Sequence, residues 1–80
     1  MEEYLGTIKL FAGPFTLRDW AECDGKVLTI KGNEALFSIL RTQYGGDGRS
    51  TFAVPNLHGR EPIQGTHYII CVAGVYPSQD

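Results

Sequence analysis

Apolar and polar positions alternate at the start of the chain. Leu5 opens the run, Ile8, Leu10 and Ala12 share one parity, and Thr7, Lys9 and Phe11 take the other. This reads as a first strand with one face buried. Gly13-Pro14 ends it, because proline lacks the donor a ladder needs. After the short bridge Thr16–Asp19, Trp20-Ala21-Glu22-Cys23 reads as a second strand, and Asp24-Gly25 is a tight-turn signal into Lys26–Ile30. A small hairpin over residues 20–30 is therefore expected. The pattern then changes period: Leu36, Phe37, Leu40 and Tyr44 recur at three- and four-residue spacing, the apolar face of a short helix over about residues 33–44. Asn33 is placed to cap it, Glu34 to complement its dipole, and Gly45-Gly46 to stop it.

Thr51–Leu57 is extended again, and Pro55 forbids a central-strand role there, leaving an edge strand or a crossing segment. The run from His67 to Tyr76 is the most apolar of all, and its β-branched residues mark a strand buried on both faces. The expected fold class is α+β: a small, mostly-β domain with short strands, hairpins and one short helix. One domain covers residues 1–80. Trp20, Leu36, Phe37, Leu40 and Phe52 are its expected core.

Length changes this picture. A chain of 80 residues buries only about 60–65% of its unfolded surface, so its own core is marginal. Two cysteines, Cys23 and Cys71, allow at most one disulfide and no Cys-rich zinc site. Self-association is the remaining source of extra burial. Tyr68, Ile70, Val72, Val75 and Tyr76 on the apolar final run are the expected interface. The net charge of −2 has no runs, and the seven basic residues stand singly, which disfavours nucleic acid as the partner. Met-Glu-Glu-Tyr is acidic where a secretory signal needs a basic region, and no apolar run approaches the roughly 20 residues of a membrane span. Synthesis in the cytoplasm without signal peptide or membrane insertion is expected, with any release by lysis or a dedicated machine.

Candidate chemistry is sparse. Gly45-Gly46-Asp47-Gly48-Arg49 looks like a phosphate loop, but phosphate loops precede a helix and these glycines follow one, so a turn is the better reading. Cys23 and Cys71 read as buried free thiols, with a disulfide formed after release as the alternative. A nucleophilic thiol would need His58 or His67 beside it. Those histidines are loop residues, or metal ligands repeated about a threefold axis. Trp20 is a core anchor or a sugar-stacking platform. Asp19, Asp24, Asp47 and Glu61 sit in separate turns, with no spacing that suggests acid–base catalysis. Arg60 offers an ion pair, within or between subunits, or a ligand contact. Asp47, Arg49 and Arg60 are the candidate binding loop. No catalytic residue, metal or cofactor is expected.

Four stretches in order resemble the phage tail collar domain family, which includes microcystin-dependent proteins. They are Trp20-Ala21-Glu22-Cys23-Asp24-Gly25; Leu36–Leu40 with Tyr44-Gly45-Gly46-Asp47-Gly48; Phe52-Ala53-Val54-Pro55-Asn56-Leu57-His58-Gly59-Arg60; and Ile70–Ser78. Tyr4–Gly13 resembles the opening strand of that family. Members often carry a long insertion after the Gly-Arg pair, which in tail fibres contributes the receptor-facing part. Here Glu61–Thr66 closes that gap, so no inserted head is expected. Cys71 also stands where the family more often has a cysteine at the place of Ile69. The resemblance implies a compact β module, often trimeric, in a phage tail fibre or phage-like particle. It would act there in assembly or attachment, and this chain would be a free-standing minimal form. A small lectin-like ligand-binding module using Trp20, Tyr44 and the Asp47–Arg49 loop is the alternative.

Overall fold

A computed structural model describes residues 3–78 of the chain. Five strands and one helix follow in the order β1 (Ile8–Phe11), β2 (Trp20–Glu22), β3 (Val27–Thr29), α1 (Glu34–Leu40), β4 (Thr51–Ala53) and β5 (His67–Cys71). All strand pairing is antiparallel. One sheet has the order β1-β5-β2, the other is the pair β3-β4. This is a small, β-rich α+β fold.

The expected hairpin over residues 20–30 does not form, because β2 pairs with β5 and β3 with β4. A two-residue turn of the favoured hairpin type needs positive φ at both central positions. Gly25 has φ +81° but Asp24 is not in that region. Instead Asp24 Oδ1 accepts the Lys26 amide at 3.0 Å, and the Gly25 amide donates to the Pro55 carbonyl. Residues 20–29 are thus one extended path that leaves the first sheet and enters the second. An Asp24–Asn56 bridge and the Leu57 amide on the Cys23 carbonyl stitch the crossing.

The helix is shorter than the periodicity predicts. It ends at Leu40, where Arg41 turns to φ 53° and ψ −139° and donates its amide to the Phe37 carbonyl. Tyr44 falls beyond it and is exposed. Asn33 does not cap it either: its amide reaches back to the Thr29 carbonyl at 2.9 Å, and no side chain caps the first turn.

Register assigns the faces of the three-stranded sheet, since paired residues share a face. Ala21, Ile70, Tyr68, Ile8 and Leu10 share one face; Ala21, Ile70 and Tyr68 reach the core, while Ile8 on the edge strand stays exposed. That core joins Leu5, Ala21, Cys23, Leu36, Leu40, Phe52, Val54 and Ile70, with Phe37, Tyr68 and Val72 packed against it. Phe37 and Phe52 meet ring to ring at 5.5 Å. Trp20 lies outside this cluster, on the opposite face and only half-buried, because its strand parity matches Cys71 rather than Ile70. Ile70 is fully buried in the chain's own core, so it is withdrawn from the expected interface. The last strand is central, as its composition implies, but it stops at Cys71 rather than Tyr76. Beyond it, Val75 makes an isolated parallel bridge with Tyr4.

Candidate functional site

The outer face of the three-stranded sheet carries Lys9, Phe11, Trp20, Glu22, His67, Ile69 and Cys71 by register. Ile69 and Cys71 are fully covered. The Ala73–Gly74 backbone lies against Cys71, and long side chains cross the rest of the face. Lys9 Nζ stands 5.0 Å over the Trp20 ring and pairs with Glu3 at 2.8 Å. Phe11 packs edge-on against Phe15 at 5.5 Å and beside His67 at 5.8 Å. Among the described residues, no charged or polar side chain is fully buried.

One end of this face opens into a cleft of about 560 Å³, lined among others by Phe15, Glu22, His58, Glu61 and His67. His67 Nδ1 contacts Glu22 Oε1, and His67 Nε2 lies 3.0 Å from the Gly13 carbonyl oxygen. His58 Nε2 lies 3.8 Å from Glu22 Oε2. Nothing in the local sequence pattern ties Glu22 to either histidine. Its parity with Trp20 was visible, but its meeting with His67, 45 positions away, is a product of the β2–β5 pairing. Both nitrogens of His67 are engaged, and among the described residues no group of three or more ligand side chains is gathered for a metal. A second cleft of about 460 Å³ lies beside Trp20, Arg18, Asp19 and Glu3.

The loop after α1 is built around Asp47. Its Oδ1 accepts the amides of Arg49, Ser50 and Thr51 at 2.8–3.0 Å, and Oδ2 accepts the Ser50 hydroxyl at 3.2 Å. These donors, led by the Ser50 amide, hold the Asp47 carboxyl well below the usual carboxylate range. Gly46, at φ +94°, lies against β4: a Cβ there would run into Phe52 Cα and sit 2.7 Å from Thr51 O. The geometry is that of a structural turn, and the carboxylate of Asp47 is occupied in holding it. Arg49 and Arg60 extend to solvent, and Arg60 makes no ion pair with a described residue of this chain. Among the described residues, no ion pair joins Arg60 to the Asp47 loop.

The two thiols are buried and free. Burial, with Asp24 and Glu22 nearby, pushes the Cys23 thiol up to about 11. Burial also raises the Cys71 thiol, which points at the Ala73 carbonyl at 3.6 Å. Each is thereby made a poorer nucleophile.

The segment after β5 exposes its apolar side chains Val75 and Tyr76. Tyr76 is 55% and Val75 38% exposed, and Tyr4 beside Val75 is 58% exposed. The Tyr76 hydroxyl meets Ser38 Oγ on α1 at 2.7 Å, and Ile39 lines the same shallow recess as Tyr76 and Pro77. Tyr68 and Val72 lean on the core. Of the expected interface residues, Val75 and Tyr76 are therefore the exposed pair.

The arrangement of two small antiparallel sheets, one short helix and a Gly-rich turn locked by aspartate accords with the comparison against family models. The model for the phage tail collar domain matches residues 6–62, well over half of the chain. The chain belongs to the phage tail collar domain family. No curated protein and no solved structure gives a significant match. The matched segment ends in the loop before β5. The strand that joins β1 to β2 in this collar domain therefore lies outside it. Membership places the chain in a structural family of phage tails. No helix among the described residues is long and apolar enough to cross a membrane.

Proposed function

We propose that this collar domain is an assembly module of a phage tail fibre or phage-like particle. It associates with copies of itself, as a trimer, and acts in assembly or attachment rather than performing chemistry. The observation that supports self-association is the exposed group Tyr4, Val75 and Tyr76 at one end of the molecule. Large apolar side chains displayed together on a small domain are a usual mark of an interface. Val75 and Tyr76 lie on the segment just after the central strand and Tyr4 is bridged to Val75, so an interface there would brace the strand that holds the first sheet together. Arg60, which makes no ion pair among the described residues, is available for one across subunits.

Light scattering over about a hundredfold range of protein concentration tests this. The expected result is a stable mass of three chains, reduced to one chain in a folded Val75→Asp variant. A strict monomer at every concentration would overturn self-association.

One observation favours the ligand-binding alternative: Tyr44 is 46% exposed beside the Asp47–Arg49 loop, where a ring could stack on a ligand. Against it, Asp47 Oδ1 is already engaged by three amides of its own turn, which leaves only Oδ2, shared with the Ser50 hydroxyl, to accept from a sugar.

A further inference from the structure

Asp24 and Asp47 spend their carboxylates on their own backbone, Asp24 on the Lys26 amide and Asp47 on its whole loop. Asp19 does not. Among the described residues its carboxylate makes no hydrogen bond and no ion pair. It stands at φ +68° on the second corner of the Leu17–Trp20 turn, which the Trp20 amide closes on the Leu17 carbonyl at 3.1 Å. Glycine takes that conformation freely, whereas an aspartate there carries some strain. The turn is fastened by the Asp19 carbonyl, which accepts the Val72 and Ala73 amides at 2.9 and 3.3 Å. The side chain is thus not needed for the turn, and a ligand gives it a role.

The neighbours of Asp19 on the chain are free in the same way. Neither the Arg18 guanidinium nor the Trp20 indole N–H makes a hydrogen bond among the described residues, and the indole nitrogen reaches solvent. All three residues line the cleft of about 460 Å³, within the ~300–1,000 Å³ of small-molecule sites. Part of its wall is bare backbone, since a Cβ at Gly74 would run into the Glu3 carbonyl oxygen. Lys9 stands over the Trp20 ring but does not line the cleft, and it is paired with Glu3. The charges around the cleft therefore balance, Arg18 against Asp19 and Lys9 against Glu3.

We propose that this cleft binds a neutral sugar, a hexopyranoside held between the Trp20 ring and the Arg18 and Asp19 side chains. A carboxylate only accepts and a guanidinium only donates, while a hydroxyl does both. Two adjacent hydroxyls can therefore donate to Asp19 and accept from Arg18. The indole N–H supplies a further donor, and the electron-rich face of the ring suits the C–H face of a pyranose. An anion would meet Asp19 and a cation would meet Arg18, so a neutral ligand fits best. The turn is fixed to the segment after β5 before any ligand arrives, which lowers the ordering cost of binding. The site goes beyond a role in assembly and is complete within one chain. Of the exposed group Tyr4, Val75 and Tyr76, it shares Val75 alone, so its test and the mass measurement can fail separately.

Trp20 is the sole tryptophan of the chain, so its fluorescence reports on this cleft. The wild-type protein should be titrated with the methyl glycosides of glucose, galactose, mannose and N-acetylglucosamine. Each is taken to about 100 mM, which covers the millimolar affinity of a single ring. At least one should give a saturable change in Trp20 emission and shift the Trp20 indole resonance in ¹⁵N spectra. Arg18→Gln and Asp19→Asn should each weaken that binding about tenfold, the loss expected for a hydrogen bond to a charged group. Asparagine still suits a positive φ, so the second variant keeps the turn. No saturable change with any of the four glycosides would overturn the site. Shifts confined to Tyr44 and the Asp47–Arg49 loop would do the same, as would undiminished binding in both variants. Should a variant fail to fold, the wild-type titration still decides.

Discussion

Asp47 organises its turn with one carboxylate. Three amides and a hydroxyl converge on it within six residues of the Gly-rich loop, in a position fully open to water. Hydrogen bonds to an ionised acceptor are stronger than neutral ones, and here they replace the secondary structure that the loop lacks. Asp47→Ala should lower the urea unfolding midpoint and remove amide protection at Ser50 and Thr51, while Asp47→Asn should keep part of both. The pH dependence has a definite sign. The folded carboxyl is held below its ordinary value of 3.8, so its contribution is complete above that value and is lost as pH falls beneath it. The midpoint difference between wild type and Asp47→Ala should therefore be flat near neutrality and shrink in strong acid.

The helix shows how an element can be cut short by its exit path. Its apolar spacing continues to Tyr44, yet the backbone leaves at Arg41 with φ 53° and ψ −139°, a conformation that suits glycine and strains an L side chain. Leu36 and Leu40 are already buried by then, and the chain must turn back to place Gly45 and Gly46 against β4. Packing, rather than helix propensity, decides the length. Arg41→Gly should relieve the strain and stabilise the domain by about 1 kcal/mol, measured by thermal or chemical unfolding. The result would count against this reading if the variant were less stable by a similar amount.

Over the whole molecule, the two sheets depend on contacts distant in sequence. Strands β1 and β2 have no ladder with each other; each pairs with β5, which enters from the end of the chain. Ile69, Ile70 and Cys71 are fully buried there, serving both faces of the sheet. A fragment ending at residue 62 spans the family match from its first residue to its last but lacks β5. That fragment should be unfolded by circular dichroism and by amide dispersion in NMR spectra, whereas the full chain folds. A folded fragment would mean that the second sheet and the helix suffice alone.

Local chemistry was readable directly. Pro55 marked its segment as an edge strand or crossing chain, the Leu36–Leu40 spacing gave the buried face of a helix, and the β-branched run gave a strand covered on both sides. Ordered motifs carried the family. In each case the determining contacts lie within a few residues, where backbone sterics and side-chain period act. Partner choice was not readable. Nothing near Asp24-Gly25 reveals that β2 turns away from β3 to pair with β5, because antiparallel ladders can be closed locally or from the far end of the chain with similar hydrogen bonds. The same pairing put Trp20 on the outer face, consumed Ile70 in the core and set Glu22 against His67. The sequence alone therefore determined which segments are strands and helix and to which family they belong. Only the tertiary structure decided which faces are covered and which side chains remain to meet a partner, because burial in so small a domain is set by long-range pairing.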